Sequence, residues 1–379
     1  MIIAYDCKKP YAPKAVASDA NYLIVEGMIN TGHDSTVLTL SRSIKISAKK
    51  DSMPELGAQV TVEDADNKIY PLTEMGAGRY GAADLGLDST QQYRVRIKTT
   101  NGKVYVSDLV QPKSTPPIDS VGFNMVNNGI KTGIQVYVNT HDPKNDTYYY
   151  RWDYKETWQF HSEYYSTFIS DGNSIIYRTP DQNVHFCFDN HISTDVTIGS
   201  SAKLQRDLIY QQPVIFIEST SEKIEARYSI LVKQFALTKD AFNYWQNLKK
   251  NTEELGSIFD AQPTQLTGNI HCISDQPEPV IGYISAGSVK QKRIYIDRSQ
   301  LPDSWQPNYP YACRIDPYLF CAPPYCTNQV ARDLIPQPNT LIPVYALEDH
   351  GIVIGYTGSS IECIDCTIRG TKQQPAFWR

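Results

Sequence analysis

Between Asn21 and Pro112 apolar and polar residues alternate in short runs broken by turn residues: YLIVEGMI, STVLTLSRSI, AQVTVEDADNKIYPL, GRYGA and QYRVRIKTTNGKVYVSD. A period of two places successive side chains on opposite faces of an extended strand, so each run can bury one face and wet the other. Two junctions, Asp66-Asn67 and Asn101-Gly102, carry residues that accept the positive φ of a tight hairpin. About seven strands in ~90 residues predict a β-sandwich of immunoglobulin or transthyretin type.

The remainder of the chain follows the same bias. Tyr (26), Pro (23) and Gly (21) are plentiful in 379 residues and long Ala/Leu/Glu/Lys runs are missing, which excludes an all-helical fold. QPKSTPPID, from Gln111 to Asp119, reads as a domain boundary. Strand-like runs resume beyond it, among them GIQVYVNTHD, YYYRWDYKETWQF, PVIFIEST and EARYSILVKQFAL. One helix is expected near 238–255: Thr238 is a candidate N-cap, and Ala241, Tyr244, Trp245 and Leu248 form an apolar face that covers a β core, with Gly256 as the stop. The predicted organisation is mainly β: a leader or tether over 1–20, the sandwich over 21–112, a larger β-rich domain over 117–300 with the helix, and a Cys-rich segment over 301–379 packed on it. A net charge of -5, spread along the chain, argues against nucleic acid as a partner. No segment approaches the apolar length of a membrane-spanning helix.

Eight cysteines occur, and five of them, Cys313, Cys321, Cys326, Cys363 and Cys366, cluster near the C-terminus. Together with Cys187 and Cys272 these are the disulfide candidates, their pairing open. Zinc is the weaker reading, because paired CxxC or HxxxH spacing is missing. Cys7 ends an apolar stretch, MIIAYDC, where a bacterial lipoprotein signal would end, and is the lipidation candidate. Asp6 stands where such signals place a small residue, and an incidental cysteine is the alternative.

The sequence contains no GxSxG, HExxH or GxxxxGK[ST] motif. His185, Cys187, Asp189 and His191 would share one face of a strand, but an ordinary strand with a buried or bridged Cys187 is the preferred reading over a metal site. NTHDPKNDT lacks the Gly and terminal Glu of a calcium loop and reads as a solvated turn. No catalytic residue, cofactor or metal is assigned. The aromatic density from Tyr148 to Phe168 is more suggestive. Trp152 and Tyr154 are expected in the core, whereas Trp158, Phe160, Tyr164, Tyr165 and Phe168 are binding candidates for a glycan or a protein surface.

Several stretches together carry a family resemblance. YYYRWDYKETWQF, ARYSILVKQFALTKDAFNYWQNLKKNTEELGSIFDAQPTQLTGNI, PEPVIGYISA and CIDCTIRGTKQQPAFW, with VEGMI, GAQVTVED and PPIDSV, resemble the Bacteroidota lipoproteins that carry the domain of unknown function 4249. The resemblance implies a lipid-anchored protein on the outer-membrane surface, accompanying a TonB-dependent β-barrel transporter in nutrient uptake. It transfers a role to Cys7 and to no catalytic residue. A non-catalytic accessory or ligand-binding role is therefore expected, with a free-standing glycan-binding or adhesin-like module as the alternative.

Overall fold

A computed structural model describes residues 21–44, 53–253, 268–274, 278–321, 326–336 and 340–378, with Leu266 and Pro324. Cys7, the leader 1–20 and Gly256 lie outside the described residues. Among the described residues the architecture is mainly β with one α-helix, and the chain divides into two compact units. Unit 1 is drawn from Met1–Ser114 and Leu237–Val289, and unit 2 from Thr115–Ala236 and Lys290–Arg379.

In unit 1 the alternating runs become strands as expected. Thr36–Arg42 buries every second residue along its whole length, and Tyr93–Lys98 repeats the pattern. Asp66-Asn67 and Asn101-Gly102 form the hairpin turns, with Asn67 at φ 64° and Gly102 at φ 85°. The two groups of strands are joined through one shared strand, Ile69–Gly76. They form one 11-stranded sheet that curls until it nearly closes. The corner is made by Ile69–Gly76, whose first half pairs with Gln59–Asp64 and whose second half pairs with Arg79–Ala82 across a bulge at Glu74/Gly76.

The ring is completed by strands from far along the chain. Val280–Gly282 and Ala286–Gly287 add in parallel to Leu23–Asn30, and Ile270–Cys272 adds to Val104–Ser107 at the other edge. The Asn269 side chain ties the two ends together, donating to Ile284 O (2.9 Å) and accepting from Ile284 N (2.8 Å). Gly27 (φ 124°) and Gly282 (φ 146°) hold this seam, because a Cβ on either would strike the carbonyl of Val37 or Val25. The helix Lys239–Glu253 belongs to this unit and not to the 117–300 region with which the sequence groups it. Thr238 Oγ1 caps it through Ala241 N–H (3.2 Å), Ala241 and Tyr244 are buried, and Tyr244 packs against Tyr283 at 5.4 Å.

Unit 2 is a two-layer sandwich with additions. One layer is Phe186–Ile192, Tyr149–His161, Arg227–Ala236 and Val289–Asp297, with Thr197–Ser200 also pairing with Tyr149–His161. The other is Leu208–Glu218, Thr132–His141 and Ile118–Asn127. Trp152, Tyr150, Tyr228, Ile134 and Val136 are fully buried between them, as expected for Trp152. Gln234 is buried in the same core: it accepts from Trp152 Nε1 (2.8 Å) and donates to Thr140 Oγ1 and Pro116 O (both 2.9 Å). A further sheet, Asp316–Leu319, Ile352–Ser360 and Leu341–Asp349, follows in the Cys-rich segment.

Three disulfides join cysteines of unit 2: Cys187–Cys366, Cys313–Cys363 and Cys321–Cys326. Cys272 is a correction to the candidate set. It is buried and unbridged in the edge strand of unit 1, its Sγ against Ser274 Oγ, because no other described cysteine lies in that unit.

Candidate functional site

The central strand of unit 2, Tyr149–His161, sets the site. Even-numbered residues face the core, and Tyr150, Trp152 and Tyr154 are buried as alternation predicts. At Glu156, Thr157 and Trp158 three consecutive residues are buried, so both faces are covered there. The cover is the C-terminal segment, which wraps the sheet edge. Cys366 bonds Cys187 on the core face, Thr371 exchanges backbone hydrogen bonds with Phe188 at the edge (2.7 and 2.9 Å), and Trp378 packs on Phe188 at 5.1 Å. An edge strand that would otherwise offer unpaired N–H and C=O groups is thereby blunted.

Most of the predicted binding cluster is packed away. Trp158, Phe160 and Phe168 are buried and Tyr164 is half-buried, whereas Tyr165 is 44% exposed. Phe160 lies under the Arg369 guanidinium (4.6 Å to the ring centre), and Trp158 lies under Lys223 Nζ (5.1 Å). Aromatic density at the end of a strand marked a heavily packed region and not an open surface.

Beneath this cover, the short turn Ser221–Glu225 sends three charged side chains into three ion pairs. Lys223 Nζ binds both oxygens of Glu156 (2.8 and 3.0 Å), Glu225 meets His161, and Glu222 pairs with Arg369. Glu156 is fully buried, and it also accepts from Tyr228 OH (2.8 Å) and lies 3.2 Å from His191 Nδ1. A carboxylate taken out of water is tolerable only when its lone pairs are met this completely. Burial and the neighbouring Glu156 charge hold the Tyr228 phenol well above its ordinary value, so it remains a donor.

At the open end of the same strand four rings gather. His161 stacks on His185 (4.9 Å between centres, 27° between planes), and Tyr165 and Phe186 meet His185 edge-on at 5.2 and 4.6 Å. Tyr165 and Phe186 are 44% and 48% exposed. Ser162 Oγ donates to Tyr164 O (3.0 Å), so it accepts from His185 Nδ1 (2.8 Å), which leaves His185 Nε2 as a lone pair. Burial, and then the adjacent His161 ring, lower the His185 imidazole to about 4. His161 Nδ1 meets Ser162 O (2.8 Å) and must carry a proton; its Nε2 lies 3.1 Å from Glu225 Oε1. One further proton held between Nε2 and Glu225 makes that contact favourable, and burial raises the Glu225 carboxyl accordingly.

The Cys-rich segment contributes a surface that strand reading did not single out. The hairpin of Leu341–Asp349 and Ile352–Ser360 turns at His350 (φ 49°) and Gly351 (φ 79°), the two left-handed residues of a tight hairpin turn. Ile352, Val353 and Ile354, immediately after the turn, are 69%, 39% and 39% exposed. Neighbours in a strand point to opposite faces, so the tip is apolar on both sides. Leu319 and Phe320, on the adjoining strand and its exit, are 43% and 44% exposed beside it, with Phe320 N–H bonded to Ile354 O (2.9 Å).

The face shared by Cys187, Asp189 and His191 holds a disulfide and an ion pair, and no cluster of three or more metal-ligating side chains occurs among the described residues. The NTHDPKNDT turn is organised by Asp142, which accepts from the N–H groups of Lys144, Asp146 and Thr147. Sequence reading missed Glu156, because a Glu between Lys155 and Thr157 looks solvated, and it also passed over Ile352 to Ile354. In comparison with known proteins, the family described as a domain of unknown function (DUF4249) matches residues 8–293. No curated protein matches.

Proposed function

The chain belongs to the DUF4249 family, and from that premise we propose that it is a lipid-anchored protein of a bacterial outer-membrane surface. It acts by binding and not by bond chemistry, docking onto a β-barrel transporter of a TonB-dependent nutrient-uptake system. Cys7 carries the lipid and the residues up to about 20 form the tether. The observation that carries the reading is the hairpin tip: Ile352, Val353 and Ile354 expose apolar surface on both faces of a hairpin. Such surface, next to Leu319 and Phe320, is unfavourable in water and marks a docking site. A protein groove fits it better than a lipid surface, because Glu348 and Asp349 lie at the turn and would be the first groups carried into lipid.

The test is recovery of the full-length lipidated chain from native membranes in mild detergent. A β-barrel partner should co-purify with the natural chain, and Ile352→Lys with Ile354→Lys should reduce its recovery roughly tenfold or more, as loss of a central apolar anchor does. Isolation of the natural chain alone, or equal recovery with the double variant, would sink the reading.

A second reading, a glycan-binding module, is favoured by the half-exposed Tyr165 and Phe186 rings beside His185. Rings with one open face suit sugar stacking. Tyr165→Ala and Phe186→Ala should each abolish signal on a glycan array, and indifference to both removes this reading.

A further inference from the structure

Unit 1 holds a cavity of about 700 Å³ at one end of its curled sheet. It opens where Leu23–Asn30 begins, where Thr36–Arg42 ends and where the hairpin turn at Thr100 and Asn101 stands, so three neighbouring strand ends form its rim. Its wall is mixed: Tyr22 and Leu56 are apolar, and Arg42, Glu55, Lys103 and Glu278 are charged. A cavity of this size with a few convergent polar groups has the dimensions of a small-molecule site.

The charges are spent unequally. Glu278 is fully used, with Oε1 accepting from Tyr105 OH (2.8 Å) and Oε2 from Lys103 Nζ. Arg42 is only 8% exposed. It donates from Nε to Glu55 Oε2 (2.6 Å) and from Nη1 to Asn21 O (3.2 Å) and Tyr105 OH (3.3 Å). Among the described residues no hydrogen bond uses Arg42 Nη2 or Glu55 Oε1, and neither belongs to the sealed polar atoms that lack a partner. Neither atom is sealed from solvent, and both residues line the cavity: a cationic fork edge and an anionic oxygen lie close together because the two residues are bonded to each other. Among the described lining residues two cations and two anions balance one another, which suits a ligand that itself carries both charges.

We propose that this cavity is a binding site for a zwitterionic α-amino acid with a large apolar side chain. The ligand carboxylate takes Arg42 Nη2, the ammonium takes Glu55 Oε1, and the side chain lies along Tyr22 and Leu56. In an α-amino acid the two charges are separated by one carbon, which matches an Arg–Glu pair in direct contact. A ligand with a single charge engages only the Arg42 fork edge or only the Glu55 oxygen, so it makes fewer charge-assisted hydrogen bonds. This site lies in the other unit from the hairpin tip, and its failure leaves the docking proposal untouched.

The test is calorimetric titration of the full chain with L-tryptophan, 3-indolepropionate and tryptamine. Tryptophan should bind with a Kd below about 1 mM, and each singly charged analogue should bind at least tenfold more weakly. Thr100→Trp, at the exposed turn on the rim, should fill the cavity and weaken tryptophan at least tenfold without altering the thermal unfolding profile. Arg42→Lys, which keeps the charge and removes the fork, should do the same to binding. No binding of tryptophan at that concentration, equal binding of all three compounds, or tryptophan binding indifferent to Thr100→Trp would each overturn the proposal.

Discussion

The two units solve the same problem, the building of a β core, by different means. Unit 1 carries its hydrogen bonds around one nearly closed sheet, and its one described cysteine, Cys272, is unbridged. The described residues of unit 2 form four separate sheets, the largest with five strands, and hold three disulfides and the fully buried Glu156. A sheet that nearly closes on itself leaves few edges and needs little else. A set of short sheets leaves edges and free ends, and covalent links and ion pairs hold them. The C-terminal segment shows the logic in one place: it wraps the edge at Phe188 and is fixed by Cys366, Arg369 and Trp378.

The sharpest way to break this contrast is to remove the longest link. Cys187 and Cys366 are 179 residues apart, and opening that loop in the unfolded chain costs unit 2 about 5 kcal/mol by the chain-entropy account. Cys187→Ser with Cys366→Ser should therefore lower the unfolding transition of unit 2 and leave that of unit 1 in place, as read by calorimetry with and without a reductant. A reductant that shifts both units equally would erase the distinction.

A smaller effect is expected at Glu156. Glu156→Gln leaves Lys223 without its anion, and because that lysine is 26% exposed it can partly rehydrate, so a loss of about 3 kcal/mol in denaturant unfolding is expected. Lys223→Met should cost more than Glu156→Gln with Lys223→Met together, since the single change strands a buried carboxylate.

The smallest is a pH effect confined to unit 2. His185 titrates at about 4 in the folded chain against an ordinary 6.5, so the unfolded state takes up a proton first as pH falls. Its contribution is complete above about pH 6.5 and is lost as pH drops toward 4. His185→Gln should flatten the stability profile of unit 2 across that window, and an unchanged slope would show that burial at this ring is not what couples unit 2 to pH.

What the sequence disclosed divides along the same line. In unit 1 the strands, both hairpin turns and the capped helix were readable, because each is a local pattern of a few residues. The closure was not: Val280–Gly282 and Ala286–Gly287 are two or three residues long and join Leu23–Asn30 in parallel from more than 250 residues away. For the same reason the helix was grouped with its sequence neighbours. In unit 2 the aromatic strand was readable and its surroundings were not. Alternation places Trp158 and Phe160 on a face but says nothing of Lys223, which lies over Trp158, or of Arg369, which lies over Phe160. The cysteines announced a framework while leaving its pairing open, as composition must. Tyr165 kept an exposed ring because it follows the end of the strand Tyr149–His161, beyond that cover.

The central claim is that unit 2 presents the Ile352–Ile354 tip to a protein partner. A photo-activated crosslinking residue placed at Val353 of the full-length chain, illuminated in intact outer membranes, tests it most directly. The account predicts a covalent adduct with a β-barrel protein, much stronger than from the same residue at exposed Ile69 in unit 1. No adduct at Val353, or an equal one from Ile69, would contradict it.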